Sequence, residues 1–327
     1  MGLIEVDGLT VSLRVGAGMR TVLRDVSLEI GAGEALGLVG ESGSGKSMTA
    51  RAIGRVLPAK AQVSGAVRFA GGDALASTGR ELQAQRLGIA MIFQDPRAHI
   101  NPVRRVGDYV TEQLRSCLKV SGEQARARAI RLLGEVGIED PAGCLHRYPH
   151  ELSGGMLQRV MIAGALISEP SLILADEPTT ALDVTTQAEV MAILDELRRD
   201  RGLSLLFITH DLNLAAAVCD RTAVMYAGQI VEVRTADRLH DDPLHPYTSA
   251  LGAARPSVSG TATRLLAIPG RPLSAFEAPE GCAFISRCPH AGERCTQPQP
   301  LRKLDGGLVR CVRAGELRGS LGGLAHA

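Results

Sequence analysis

One stretch decides the fold: Ala35-Leu36-Gly37-Leu38-Val39-Gly40-Glu41-Ser42-Gly43-Ser44-Gly45-Lys46-Ser47. Its apolar first five residues predict a buried strand. The next eight set four residues between two glycines and end in Lys-Ser, a pattern typical of a loop whose backbone N–H groups cradle phosphate. Lys46 would reach the outer phosphates, and Ser47 would offer its hydroxyl to Mg²⁺. A chance Gly/Ser-rich turn is the alternative, which the preceding strand and the Lys-Ser ending disfavour.

Two adjacent carboxylates follow a second apolar run. Leu172–Ala175 leads directly into Asp176 and Glu177, at the end of a predicted buried strand where ligands of α/β sheets bind. Asp176 would hold Mg²⁺ through its water shell, and Glu177 would act as general base toward water. A solvated turn is the alternative. His210 follows the apolar run Leu205–Ile208 and would contact the γ-phosphate and hold Glu177, although a lone histidine at a strand end is usually structural.

The rest of the chain predicts one α/β domain with an insertion and an extension. Short apolar runs alternate with helical periodicity, the pattern of a mostly parallel sheet covered by helices. Residues from about 96 to 167 read as a helical insertion, and the prolines after Asp241 place the end of the main domain near residue 250. Residues 251–327 form a small, loop-rich extension. No internal repeat is visible, so we expect one nucleotide domain.

Charge and hydropathy bear on nucleic-acid binding and on membrane spans. The net charge of +1 leaves no global attraction for nucleic acid. No apolar run approaches the roughly 20 residues that cross a bilayer. The opening MGLIEVDG is unlike a signal peptide, so we expect a cytosolic protein.

A further motif carries a family resemblance. Leu152-Ser153-Gly154-Gly155-Met156 opens a helix-compatible run about 20 residues before the acidic strand. With the phosphate loop, Gln94, Asp183 and His210, it resembles the ATPases of ABC transporters over residues 1–250. The resemblance implies a P-loop ABC ATPase domain with a helical subdomain at about 96–167. It also implies ATP hydrolysis coupled to transport, with each ATP lying between one chain's phosphate loop and the Ser-Gly-Gly signature of another.

The resemblance assigns roles residue by residue. It implies that Glu177 and His210 are catalytic and that Ser47, Gln94 and Asp176 serve Mg²⁺. The nucleotide contacts it implies are Gly40, Glu41, Ser42, Gly43, Ser44, Gly45, Lys46, Ser47, Gln94, Ser153, Gly154, Gly155, Met156 and Asp183. The N-terminal aromatic residue that stacks on adenine in many relatives is Leu13 here, which leaves adenine stacking unassigned.

Finer likeness points to one branch. Ser153–Ala163, Ala223–Glu232 and His245-Pro246-Tyr247-Thr248 are similar to the oligopeptide and dipeptide importers, whose relatives also carry nickel or glutathione. Met156 replaces the more usual Gln, which implies a heterodimer with a second, Gln-bearing ATPase. The resemblance further implies two permease subunits, an extracytoplasmic substrate-binding protein, and a location on the cytoplasmic face of the cell membrane. The rivals are a soluble ABC clamp acting on ribosomes or DNA and a non-catalytic nucleotide sensor.

Four of the seven cysteines lie close together in the extension. Cys282, Cys288, Cys295 and Cys311 are separated by five, six and fifteen residues. Four thiolates bind zinc or carry a [4Fe–4S] cluster, and free thiols are the third reading. The resemblance to the extension of peptide-importer ATPases implies the cluster. The other three, Cys117, Cys144 and Cys219, are predicted to be small buried apolar residues.

Overall fold

The computed structural model describes residues 2–16, 18–180, 182–254 and 268–321. The chain divides into two compact units. Unit 1 takes the described residues within 1–3, 30–34 and 69–206, and unit 2 takes those within 4–29, 35–68 and 207–327.

Strands and helices alternate through most of the described chain. The strands are β1 Ile4–Val15, β2 Gly18–Ile30, β3 Ala35–Val39, β4 Gln62–Phe69, β5 Gly72–Asp73, β6 Ile89–Ile92, β7 Leu172–Asp176, β8 Ser204–Thr209, β9 Arg221–Tyr226, β10 Gln229–Thr235, β11 Arg302–Leu304 and β12 Gly307–Val309. The helices are α1 Lys46–Ile53, α2 Gly79–Gly88, α3 Pro96–His99, α4 Val106–Ser116, α5 Gly122–Glu135, α6 Pro141–Cys144, α7 Gly154–Leu166, α8 Val184–Arg201, α9 Leu212–Val218, α10 Ala236–Asp241, α11 Pro246–Ala253 and α12 Ala314–Leu317. Short 3₁₀ turns occupy Pro149–Glu151, Ile285–Arg287 and Glu293–Thr296.

Unit 2 is built on strand β3, all five residues of which are buried. β3 pairs in parallel with β9, with Leu36 opposite Arg221 and Val39 opposite Val224. β10 then pairs antiparallel with β9, β12 with β10, and β11 with β12. Strands β2, β1 and β4 lie side by side, in that order, in another sheet. The unit therefore contains more antiparallel pairing than the mostly parallel sheet predicted from the sequence.

Unit 1 contains the helical segment. Its strands β6 and β7 pair in parallel, with Ile89 opposite Leu172 and Ile92 opposite Ala175. Helices α3 to α7 follow one another between residues 96 and 166, and α7 packs against α4, α5, α8 and β6. α7 buries apolar residues on most of its surface, as expected for a helix enclosed by other elements.

The described part of the extension is integrated into unit 2. Strand β12 continues the antiparallel ladder of β10, with Val309 opposite Glu232. The ring of Phe284 packs on Tyr226 and Tyr247, with ring centroids 5.4 and 5.2 Å apart. Residues 268–321 are therefore joined to the main body through both hydrogen bonds and core packing, whereas 255–267 and 322–327 lie outside the described residues.

Cys144 and Cys219 are buried as predicted, but the prediction for Cys117 was wrong. Cys117 is the C-cap residue directly after α4 and is only half-buried. Among the residues described, no helix is both long and apolar enough to cross a membrane.

Candidate nucleotide-binding and hydrolysis site

The phosphate loop connects β3 to α1 through glycines in conformations that other residues avoid. Gly40 has φ of 156°, and a Cβ atom there would lie 2.2 Å from the carbonyl oxygen of Met225. Gly45 has φ of 112° and caps the N-terminus of α1. Both positions therefore require glycine, one for close backbone approach and one for the left-handed turn into the helix.

The polar groups of the loop are held close to the backbone. Lys46 is buried, and its Nζ donates to the carbonyl oxygens of Gly40 at 2.8 Å and Glu41 at 3.1 Å. The hydroxyl of Ser44 is also buried and has no hydrogen-bond partner among the described residues. A buried hydroxyl without a partner is costly, so a phosphate oxygen is the kind of group this loop suits.

The acidic strand end in unit 1 is tightly constrained. Asp176 is the last residue of β7 and is 3% exposed. Glu177 has φ of 46°, a left-handed conformation that is unfavourable for a residue with a side chain. Its Oε2 accepts hydrogen bonds from Gln94 Nε2 at 3.1 Å and Thr180 Oγ1 at 2.9 Å. The structure thus brings together two predicted site residues, Gln94 and Glu177, and adds Thr180, which the sequence did not single out.

The Ser-Gly-Gly signature forms the N-terminus of α7. Ser153 accepts a hydrogen bond from the N–H of Met156 at 3.3 Å and so caps the helix. A Cβ atom on Gly155 would lie 2.6 Å from Cγ2 of Thr186, at the start of α8. Gly155 therefore allows the starts of α7 and α8 to approach closely.

Asp183 caps the second of these helices. Its carboxylate accepts the backbone N–H of Thr186 at 3.0 Å and the hydroxyl of Thr186 at 2.7 Å. These two bonds lower the pKa of Asp183. Asp183 is therefore ionised at neutral pH, and its negative charge lies at the positive end of α8.

The predicted residues divide between the two units. His210 is exposed and directly follows β8, next to Asp211, which caps α9 through the N–H groups of Asn213 and Leu214. Unit 1 holds Gln94, Ser153, Gly154, Gly155, Met156, Asp176, Glu177 and Asp183, and unit 2 holds Gly40, Glu41, Ser42, Gly43, Ser44, Gly45, Lys46, Ser47 and His210.

Comparison with known proteins matches this architecture. Residues 23–180 match the ABC transporter family, and residues 231–295 match the oligopeptide/dipeptide transporter C-terminal region. A putative peptide import ATP-binding protein of Brucella abortus is 44% identical over 312 residues, covering 94% of this chain and 94% of that protein. The chain belongs to the oligopeptide and dipeptide branch of ABC transporter ATP-binding subunits. It is an ATPase whose hydrolysis of ATP drives transport, and the resemblance seen in the motifs is confirmed.

One further relative and one solved structure agree with this family membership. The oligopeptide transport ATP-binding protein OppD of Salmonella typhimurium is 42% identical over 309 residues, 94% of this chain and 92% of that one. Among solved structures, the ATP-binding cassette MJ0796, in a dimeric post-hydrolysis state with ADP and phosphate, is 30% identical with a TM-score of 0.64. The match covers 71% of this ABC ATPase and 98% of that chain. The predicted P-loop ABC ATPase fold is confirmed.

The four cysteines of the extension line one small cavity. Cys282, Cys288, Cys295 and Cys311 surround it together with His245 and His290. Burial raises the pKa of Cys282 to about 12 and also raises the pKa of Cys288 and Cys311. Within the described ranges, however, no three His, Cys, Asp or Glu side chains are placed so that they could hold a metal ion. The predicted metal site is therefore supported only as far as the shared cavity.

Proposed function

We propose that this ATPase energises the uptake of dipeptides or oligopeptides. The observation that carries the proposal is the match of residues 231–295 to the oligopeptide/dipeptide transporter C-terminal region. Relatives named for peptide import and oligopeptide transport, 42 to 44% identical over nearly the whole chain, support it. Nickel, glutathione or another small solute is the alternative cargo, because specificity lies in subunits other than the ATPase.

We further propose how the motif residues divide the chemistry. Lys46 and the loop N–H groups of residues 40–47 would bind the phosphates of ATP, and Ser47, Gln94 and Asp176 would serve Mg²⁺. Glu177 would accept a proton from the attacking water, and His210 would contact the γ-phosphate. The hydrogen bonds that hold Glu177 support its role, since a general base must be fixed in orientation.

The signature residues point to a second ATPase subunit as partner. Ser153, Gly154, Gly155, Met156 and Asp183 would contact ATP held by a second ATPase subunit, with Met156 favouring a different, Gln-bearing chain. Two permease subunits and an extracytoplasmic binding protein would complete the transporter, and the ATPase would sit on the cytoplasmic face of the membrane. A soluble ABC protein acting on ribosomes or DNA is the rival, which the transporter-specific match at residues 231–295 disfavours.

Reconstitution tests the cargo. The ATPase is co-expressed with its partner ATPase and both permeases, placed in lipid vesicles, and supplied with the binding protein loaded with a tripeptide, Ni²⁺ or glutathione. Peptide should stimulate ATP hydrolysis and enter the vesicles. A transporter carrying Lys46→Ala should show neither stimulated hydrolysis nor peptide uptake. Stimulation by Ni²⁺ or glutathione, with no response to peptide, would overturn the peptide assignment.

We propose that the four cysteines ligate a [4Fe–4S] cluster, which would cross-link the extension. The shared cavity supports this donor set. A zinc ion needs four sulfurs within about 2.3 Å of one point, whereas a cluster is ligated at four separate irons and suits more widely spaced thiols. The spacing of five, six and fifteen residues lacks the Cys-x₂-Cys pairs of many structural zinc sites, which favours the cluster over zinc.

A further inference from the structure

An arginine of the extension forms an ion pair with the phosphate loop. Arg287 lies in the 3₁₀ turn Ile285–Arg287, and its guanidinium makes two hydrogen bonds to the carboxylate of Glu41. Nη1 donates to Oε2 at 2.7 Å and Nη2 to Oε1 at 3.1 Å. Glu41 is the second residue of the phosphate loop, 246 residues earlier in the chain. Such a two-point pairing fixes orientation as well as distance.

The guanidinium itself has little freedom to move. The Arg287 side chain is 4% exposed and that of Glu41 is 21% exposed. Nε of Arg287 donates to the carbonyl oxygen of Pro269 at 2.7 Å, and Nη1 also donates to the hydroxyl of Tyr226 at 3.3 Å. The rings of Tyr226 and Phe284 lie 5.7 and 5.8 Å from the guanidinium carbon. Arg287 is therefore a fixed point to which the loop is attached.

The same loop residue is also held through its backbone. The N–H of Glu41 donates to the hydroxyl of Tyr247 at 2.9 Å, and Tyr247 is buried in α11. The carbonyl oxygen of Glu41 accepts Nζ of Lys46 at 3.1 Å. Side chain, N–H and carbonyl of Glu41 are thus all engaged, and the last of these contacts is with the lysine proposed to bind phosphate.

We infer that Arg287 is a positioning residue for ATP binding: it holds Glu41, and through Glu41 the backbone of the phosphate loop, in the form that receives the nucleotide. A loop already fixed in its binding geometry loses less conformational entropy when ligand binds. The inference rests on the proposed placement of ATP in the phosphate loop. If the ion pair only attached the extension to unit 2, breaking it would alter stability but not the nucleotide affinity of the folded protein.

The extension supplies a matched control. Arg271 and Glu277 form another two-point ion pair, with distances of 3.0 and 2.6 Å, but Arg271 is 70% exposed. Neither residue contacts the phosphate loop among the hydrogen bonds and ion pairs described. Arg271→Gln therefore removes the same chemistry from the extension without touching Glu41.

The test measures the dissociation constant of a fluorescent ATP analogue, with Mg²⁺, on the full-length chain. Arg287→Gln and Glu41→Gln should each weaken binding roughly threefold to thirtyfold, the usual range for coupling between linked groups. The double variant should bind the analogue no more weakly than whichever single variant binds it less tightly. Both substitutions break the same contact, so their effects should not add. Arg271→Gln should bind as tightly as the unaltered chain.

The outcomes separate this inference from the proposed function. Unaltered affinity in a folded Arg287→Gln protein, or losses that add in the double variant, would overturn the positioning role. If Arg287→Gln does not fold, unaltered affinity in Glu41→Gln would overturn the positioning role, since that variant leaves the bonds of Arg287 to Pro269 and Tyr226 in place. Lys46→Ala tests the placement of ATP separately: unaltered affinity there would remove the proposed site itself.

Discussion

Glu177 is fixed by local strain and by two hydrogen bonds. Its φ of 46° is a left-handed conformation that costs energy in a residue with a side chain. Gln94 and Thr180 then fix the carboxylate from two directions. A strained residue at a strand end, with its side chain held by neighbours, matches what a general base requires.

Glu177→Gln should abolish most ATP hydrolysis while leaving nucleotide binding intact. The amide has the shape of the carboxylate but cannot accept a proton from water, and general-base catalysis contributes about 10²- to 10⁴-fold. Turnover by the assembled transporter and binding of a fluorescent ATP analogue measure the two properties. Glu189→Gln is the control, because Glu189 is 55% exposed and forms a surface ion pair with Arg159 in unit 1. Near-normal turnover in Glu177→Gln would refute the assignment.

At the scale of single residues, the sequence predicts the parts of the site whose residues are neighbours in the chain. The loop of residues 40–47 and the Asp176-Glu177 pair are read directly, because their chemistry lies in neighbouring positions. The bond from Gln94 to Glu177 spans 83 residues and the ion pair from Arg287 to Glu41 spans 246. No local pattern indicates either contact, because each depends on how distant elements pack.

The starts of α7 and α8 fit together through one missing side chain. Gly155→Ala should lower the free energy of unfolding by about 1 to 3 kcal/mol, the usual effect of overpacking, because its Cβ would meet Cγ2 of Thr186. Thr186 cannot easily rotate away, since its hydroxyl is bonded to Asp183. Chemical denaturation measures the change.

Two further variants test this explanation. Thr186→Ser removes the methyl group and keeps the hydroxyl, so adding it to Gly155→Ala should restore most of the stability. Gly154→Ala is the matched control, because the nearest atom to its Cβ, on Leu182, is 3.7 Å away. A Gly155→Ala protein as stable as Gly154→Ala would disprove the steric account.

Strand β10 carries a buried acid that makes stability depend on pH. Burial raises the pKa of Glu232 from 4.5 to about 7, although the N–H groups of Leu244 and His245 each donate to it at 2.8 Å. Its native pKa lies above its unfolded value, so its stabilising contribution is complete below about pH 4.5 and is lost as the pH rises through 7. Across that window the unfolded chain binds fewer protons than the native state.

The titration of one proton sets how steeply the free energy of unfolding changes with pH. Between about pH 5 and 7, Glu232 should lower the free energy of unfolding by at most about 1.4 kcal/mol per pH unit as the pH rises. Glu232→Gln should remove this part of the slope, and urea denaturation at pH 5, 6 and 7 measures it. Glu189→Gln should keep the full slope. Equal slopes in Glu232→Gln and the unaltered chain would show that Glu232 does not titrate in this window.

Element prediction succeeded where patterns were long. Strands β3, β7 and β8 coincide with the apolar runs 35–39, 172–175 and 205–208, and α7 begins within the signature that was expected to open a helix. Strands β11 and β12 have three residues each, too few for an alternating apolar and polar pattern to be recognised in the sequence. They form because β10 offers them a partner, which only the tertiary structure supplies.

At the scale of the molecule, the described part of the extension packs on the rest of unit 2 through Phe284. Four cysteines within 30 residues line one cavity, in a segment whose regular elements are three or four residues long. Elements this short cannot build a core by themselves. Metal binding by four thiolates would add folding free energy to this segment.

Protein purified without oxygen should therefore be brown and absorb broadly near ~400 nm, as iron–sulfur centres ligated by thiolates do. Cys288→Ser should lose the colour, because it removes one of four ligands, and should unfold at lower temperature. Cys117→Ser should keep both, since Cys117 lies in unit 1, directly after α4. A colourless protein holding one zinc per chain, without iron or sulfide, would replace the cluster by zinc. A protein free of metal, and as stable after Cys288→Ser as before, would show that strand pairing and packing on Tyr226 and Tyr247 hold the extension without a metal.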